Sequence, residues 1–229
     1  MLASKAWRES RTRFILSAAA LAWFCSMFIV SRTLVPAAAS RPFAAFVDDT
    51  IYAGSLRNLF VIFVVVLGLG GLLQESSRGT AVFTLSLPVT RARLVLSRAA
   101  VGLVEVAALA LVPTTTVLAM AAILGEAYSA ADAIWFSAQW AVAGSILFAG
   151  TFVLSTRVPG TYSALAASFI ALAAYTVAVN LPVVHVTAAF NVFALMGRMH
   201  PRPETLAGVS VAAAAIIAAA AGTTERQDF

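Results

Sequence analysis

Six long stretches with few or no ionisable side chains govern what this chain can become. They cover residues 14–31, 58–74, 99–125, 133–155, 160–181 and 206–222, with Glu105 and Pro113 interrupting the third. At 1.5 Å per residue, crossing a hydrocarbon core of about 30 Å takes about 20 apolar residues. Unpaired backbone groups in lipid are costly, so each stretch is expected to be a helix. The weak ten-residue alternation of a membrane β-barrel is absent. Composition agrees: 61% of the 229 residues are hydrophobic and 11% charged, against about 45–50% and about 25% in ordinary globular domains. A soluble domain and a disordered chain are both excluded. Six crossings use about 120 residues, and the remainder is too scattered for a separate catalytic domain. The expectation is one all-α polytopic membrane domain over 1–229. Gly68, Gly70, Gly71 and the alanine-rich last span read as close-packing faces.

Orientation follows the cations. With the N-terminus inside and six crossings, the inner segments hold Lys5, Arg8, Arg11, Arg13, Arg78, Arg91, Arg93, Arg98, Arg157 and Arg226. The outer segments hold Arg32, Arg41, Arg57, Arg198 and Arg202. That imbalance predicts both termini in the cytoplasm, in a plasma (inner) membrane. Residues 158–197 contain no Asp, Glu, Lys or Arg and could hold a seventh span broken near Asn180–Pro182. Charge does not reject that arrangement. However, 183–197 is only 15 residues long and includes His185 and Asn191, so a re-entrant or interfacial segment is the expected form. The basic N-terminus, apolar run and Ala37-Ala38-Ala39-Ser40 resemble a cleaved signal peptide. The apolar run exceeds the usual 7–15 residues, and an uncleaved first span is expected.

The residues carry little covalent chemistry. Cys25 is the sole cysteine, so no internal disulfide or thiolate cage can form. His185 and His200 lack ligand spacing, and no metal site is expected. Ser145 follows Gly144 inside a span, but no pattern supplies a base or an oxyanion hole, so packing explains it. There is no G-x-x-x-x-G-K-[ST] phosphate loop, and no dense basic tract to hold a nucleic acid.

The segment 75–98, between the second and third spans, carries more information. It reads Glu75-Ser-Ser-Arg78-Gly79-Thr80-Ala-Val-Phe83-Thr-Leu-Ser-Leu87-Pro88-Val-Thr90-Arg91-Ala-Arg93, then Leu94 and Arg98. Phe83 and Leu87 share a helical face at i, i+4. Pro88 ends such a helix because it lacks an N–H and clashes with the preceding turn. Thr90 is then placed to cap a new helix through its hydroxyl. That helix is expected to run through Arg91, Arg93 and Arg98 into the third span. A short amphipathic element joined rigidly to a membrane helix suits a mechanical coupler. A basic loop held by anionic headgroups is the plainer reading of the same residues.

The order Glu75, Arg78-Gly79-Thr80, Leu85-Ser86-Leu87-Pro88-Val89-Thr90-Arg91 and Arg98 resembles the corresponding loop of ABC-2 type transporter permeases. Thr90 stands where serine is frequent in that family, and Arg98 where lysine is frequent. The motif covers about 24 residues, and the six-span layout extends the resemblance less specifically. The resemblance implies the transmembrane subunit of an ATP-driven transporter, an exporter, rather than an enzyme. ATP and Mg would bind separate ATPase chains, with no cofactor in this chain. The loop would be a coupling helix docked on the ATPase, with Ser76 to Leu87 in contact and Glu75, Arg78 and Arg91 as polar partners. Gly79, Thr80, Phe83 and Pro88 complete the matched set. A second permease copy, or a homologous permease, would complete the complex. A haem-exporter-like ABC permease is the nearest alternative, and a stand-alone secondary transporter the alternative outside that class.

Glu105 falls seven residues beyond Arg98, about 10 Å along a helix. Buried ionisable groups in membranes are often functional, but local pairing with an arginine, including one from the N-terminal basic segment, fits equally. Pro113, followed by three threonines, reads as a tolerated kink, with a substrate or hinge role as the functional alternative. Lys5 to Arg13 reads as a topology signal, a short surface helix, or both. Trp7 and Trp135 read as interface anchors, and Trp23 as core or lipid-facing packing.

Overall fold

A computed structural model describes residues 2–69, 90–158, 160–180, 191–197 and 203–225. Among them there are helices and no strands: α1 (Leu2–Leu34), α2 (Pro36–Ala39), α3 (Phe43–Phe46), a π-helical turn (Val47–Tyr52), α4 (Ser55–Gly68), α5 (Arg91–Leu124), α6 (Ala130–Arg157), α7 (Thr161–Asn180), α8 (Val192–Met196) and α9 (Pro203–Glu225). Six helical stretches among these residues are long and apolar enough to cross a membrane: α1, the run Phe43–Gly68, α5, α6, α7 and α9. The chain is an all-α, multi-pass membrane protein.

Residues far apart in sequence define two ends of the bundle. At the near end, where α1 begins, Arg98 of α5 meets Glu9, and Ser155 of α6 meets Gly68 of α4. At the far end Arg32 meets Glu126 at 2.9 Å. α1 has 33 residues, about 50 Å of helix, so its first turns extend beyond an apolar core of about 30 Å. One stripe of α1 is buried: Ala6, Ser17, Leu21, Cys25, Ile29 and Arg32. From Ser17 to Arg32 the three- and four-residue spacing is the seam of a helix packed on one side. The opposite face, with Leu16, Trp23 and Met27, is exposed. In lipid that exposure needs no partner. Trp23 therefore lies on the outer face of the bundle, whereas Trp140 is fully buried.

The second span departs most from the sequence expectation. It begins near Phe43 rather than at residue 58, because α3, the π-helical turn and α4 form one apolar run. Asp48 and Asp49 sit inside it and are satisfied by groups outside the run. Tyr128 donates to Asp48 at 2.7 Å, and Arg41 pairs with Asp49. Burial and the bond to Asp48 push the Tyr128 phenol up, keeping it a donor.

α5 is continuous from Arg91 past Pro113 and stops at Gly125, whose φ of +68° suits a residue without a side chain. Ser129 caps α6 by accepting from the Asp132 N–H. Thr90 has the extended backbone of an N-cap, but its hydroxyl makes no cap bond, contrary to the sequence expectation. Lys5 to Arg13 is not a separate surface helix, since α1 is unbroken.

Among the described residues no seventh helix is long enough to cross a membrane. α8 has five residues, about 8 Å of helix. Asn180, at the end of α7, and Asn191, before α8, line the same cavity. Leu195 and Met196 of α8 are buried in the core.

Candidate functional site

Of the residues singled out between spans two and three, Glu75, Arg78, Gly79, Thr80, Phe83, Leu87 and Pro88 lie outside the described residues. Arg91 opens α5. The two stems bracketing the segment are described, and both are fastened to α1.

The α4 stem ends at Gly68 and Leu69. A helix leaves its last carbonyls without intrahelical partners. Arg13 of α1 donates to the Leu69 carbonyl, and more weakly to that of Val66 at 3.4 Å. A cation there also complements the negative end of the helix dipole. Gly68 lets α4 approach α6 closely: a Cβ at this position would lie 2.8 Å from Cβ of Thr151. Ser155 adds a hydroxyl bond to the Gly68 carbonyl at 3.3 Å.

The α5 stem is fastened twice. Arg98 donates to Glu9 at 2.8 Å, and Glu9 also faces Lys5 one turn back at 3.8 Å. Two turns further along α5, Ser10 donates to Glu105. Glu105 is only 2% exposed, and the Arg13 guanidinium is close enough to act on it electrostatically. Glu9, Ser10 and Arg13 face the stems because three- and four-residue steps keep them on one side of α1. The pairing left open for Glu105 is thus with the N-terminal segment.

Between these groups lies a cavity of about 40 Å³ lined by Ser10, Arg13, Arg98, Gly102, Glu105 and Phe148, among others. Small-molecule pockets run about 300–1,000 Å³, so this is a brace and not a solute site. Gly102 makes the brace possible: a Cβ there would fall 2.2 Å from Cζ of Phe148.

Pro113 leaves α5 helical, and the next residue ties α5 to α6. Thr114 donates to the Ala133 carbonyl at 2.8 Å, and its oxygen lies within hydrogen-bond reach of the Ser137 hydroxyl and, at 3.3 Å, of the Tyr52 hydroxyl. Ser137 donates to the Ala110 carbonyl at 2.8 Å, beside the carbonyl that the proline leaves without its helical donor. Tyr52 stacks on Phe136 with centroids 4.4 Å apart. Among the described residues, no group of three or more His, Cys, Asp or Glu is arranged to hold a metal.

Sequence reasoning missed Glu9, Ser10 and Arg13 as stem contacts. No local signal in the sequence says which distant carbonyl an arginine will reach. No family model matches the chain, and no curated protein matches it. Fold and site together define a multi-pass membrane protein whose α4 and α5 stems are braced on α1 at the near end.

Proposed function

We propose that the chain is the permease subunit of an ATP-driven exporter of ABC-2 type, powered by separate ATPase chains that bind ATP and Mg. The bracing of both stems of segment 75–98 onto α1 carries this reading. A device that passes force from a docked subunit into a bundle needs a stiff lever and a fixed anchor. α5 supplies the lever: 34 residues, about 51 Å of unbroken helix. Arg13, Glu9 and Ser10 supply the anchor, and Thr114 with Ser137 passes displacement to α6. The cations concentrated in the N-terminal segment and segment 75–98 favour a cytoplasmic near end, where an ATPase would reach Phe83 and Leu87. ATP binding could shift the bundle between two arrangements only if the ATPase interacts differently with each, and a docked coupling helix provides that difference. Rocking of helix groups would then move cargo, with a second permease copy or a homologous permease completing the path. A stand-alone secondary transporter would be expected to use a mid-membrane ionisable group, whereas Glu105 is engaged by Ser10 at the near end.

The test is affinity purification from native membranes in mild detergent, comparing wild type with Phe83→Asp/Leu87→Asp. The expected result is an ATPase with a phosphate-loop signature that co-purifies with wild type and is lost from the variant. Well-folded wild type that brings down no ATPase would overturn the proposal.

A further inference from the structure

α7 leans on α4 and α6 but leaves two adjoining cavities between them. The one toward the far end is about 540 Å³ and is polar at its rim, where Arg57, Asn58, Asn180 and Asn191 meet Thr176 and Phe193. The deeper one is about 310 Å³ and mainly apolar, lined by Val65, Ile146, Leu147 and Leu154, with Tyr175 at one side. Leu172 borders both. Helical register explains their alignment. Arg57, Val61 and Val65 follow one another at four-residue steps on α4, as do Thr176, Leu172 and Ser168 on α7. From Arg57 to Val65 the cleft descends about 12 Å.

Arg57 is the chemical centre of the rim. Its Nη1 donates to the Phe193 carbonyl at 3.1 Å, and its guanidinium lies over the Phe193 ring at 5.6 Å. Its Nε is buried without a hydrogen-bond partner. Among the described residues no carboxylate lies within ion-pair distance of it. Residues 181–190 and 198–202, which flank this region in sequence, contain no Asp or Glu. A guanidinium held in place by an aromatic ring and a carbonyl, with no counter-anion among the described residues, is arranged to receive one. Asn191 uses its amide oxygen to accept from the Ala194 N–H, leaving its amide NH₂ as a further donor at the rim.

We propose that the cleft between α4 and α7 binds an anionic amphiphile, with its phosphate or carboxylate on Arg57 and its acyl chain against Val65, Ile146, Leu147 and Leu172. A free anion would leave the apolar cavity unused, and an uncharged lipid would leave Arg57 without its counter-charge. The site stands whether or not an ATPase drives the chain.

The test uses the purified full chain in a neutral maltoside detergent, titrated with lysophosphatidylglycerol and read by native mass spectrometry. Wild type should take up one molecule at least tenfold more tightly than it takes lysophosphatidylcholine, and should not retain inorganic phosphate. Arg57→Gln should weaken lysophosphatidylglycerol at least tenfold. Leu172→Trp, which leaves Arg57 intact while filling the junction of the two cavities, should do the same. Circular dichroism confirms that each variant is folded. Arg57→Gln or Leu172→Trp binding within twofold of wild type would overturn the proposal. So would equal uptake of the zwitterionic lipid, or inorganic phosphate held as tightly as the amphiphile.

Discussion

Replacing Gly102 by valine tests whether the near-end brace depends on close helix approach. An added Cβ would lie 2.2 Å from Cζ and 2.5 Å from Cε2 of Phe148. Carbon atoms in contact prefer about 3.5–4.0 Å, so the ring would have to retreat by roughly 1.5 Å. It has little room, because Phe148 is 1% exposed and stacks on Phe152 with centroids 5.7 Å apart. Overpacking of this kind costs about 1–3 kcal/mol. The better helix propensity of valine over glycine returns only a few tenths, so the net loss should be about 1–3 kcal/mol. Reversible unfolding in mixed micelles, followed by circular dichroism, measures it. Phe148→Leu in the same chain should recover part of the loss, with a coupling of at least about 0.5 kcal/mol. A single variant as stable as wild type, or a double variant whose effects simply add, would refute the reasoning.

Other consequences follow from individual contacts. Arg32 is held by Glu126, by the Arg41 carbonyl and by the Phe43 ring, with 11% of its side chain exposed against 37% for Glu126. Arg32→Ala should cost about 2–3 kcal/mol in the same unfolding assay, and Glu126→Ala, which leaves the nearly buried guanidinium without its counter-charge, at least about 2 kcal/mol. Thr114→Val removes the buried bonds to Ala133, Ser137 and Tyr52 and should cost about 1–2 kcal/mol. Thr115→Val, at an exposed position bonded only within its own helix, should stay within about 0.5 kcal/mol. In single-tryptophan variants reconstituted with brominated lipid, Trp23, 66% exposed, should be quenched strongly, and Trp140, fully buried, should not. Equal quenching of the two would contradict the assignment of α1's outer face to lipid.

What the sequence revealed, and what it hid, has a physical basis. The cost of charge in hydrocarbon purges ionisable residues from long runs, so most spans can be read directly. That logic failed at the second span, where Asp48 and Asp49 lie in the helical run and Tyr128 and Arg41 answer them from elsewhere. Periodicity cannot reveal such pairings. The same holds for the brace: Arg13 reaches the Leu69 carbonyl across 56 positions of sequence. Glu105 stood out as a buried acid, but its partner Ser10 did not, because a serine near a basic segment looks like any surface serine. Thr90 shows the opposite failure, a good local capping signal whose hydroxyl makes no cap bond. The polar cleft at Arg57 was also hidden, since it arises from helices that pack loosely rather than from any motif.

The proposed coupling is tested most directly by placing a photo-crosslinking benzoylphenylalanine at position 83 and irradiating native membranes. Position 34 serves as the control, since Leu34 is 76% exposed and closes α1 at the far end. The account predicts a covalent adduct between position 83 and an ATPase chain carrying a phosphate loop, and none from position 34. Adducts from position 83 to lipid alone, or to the same proteins that position 34 captures, would contradict it.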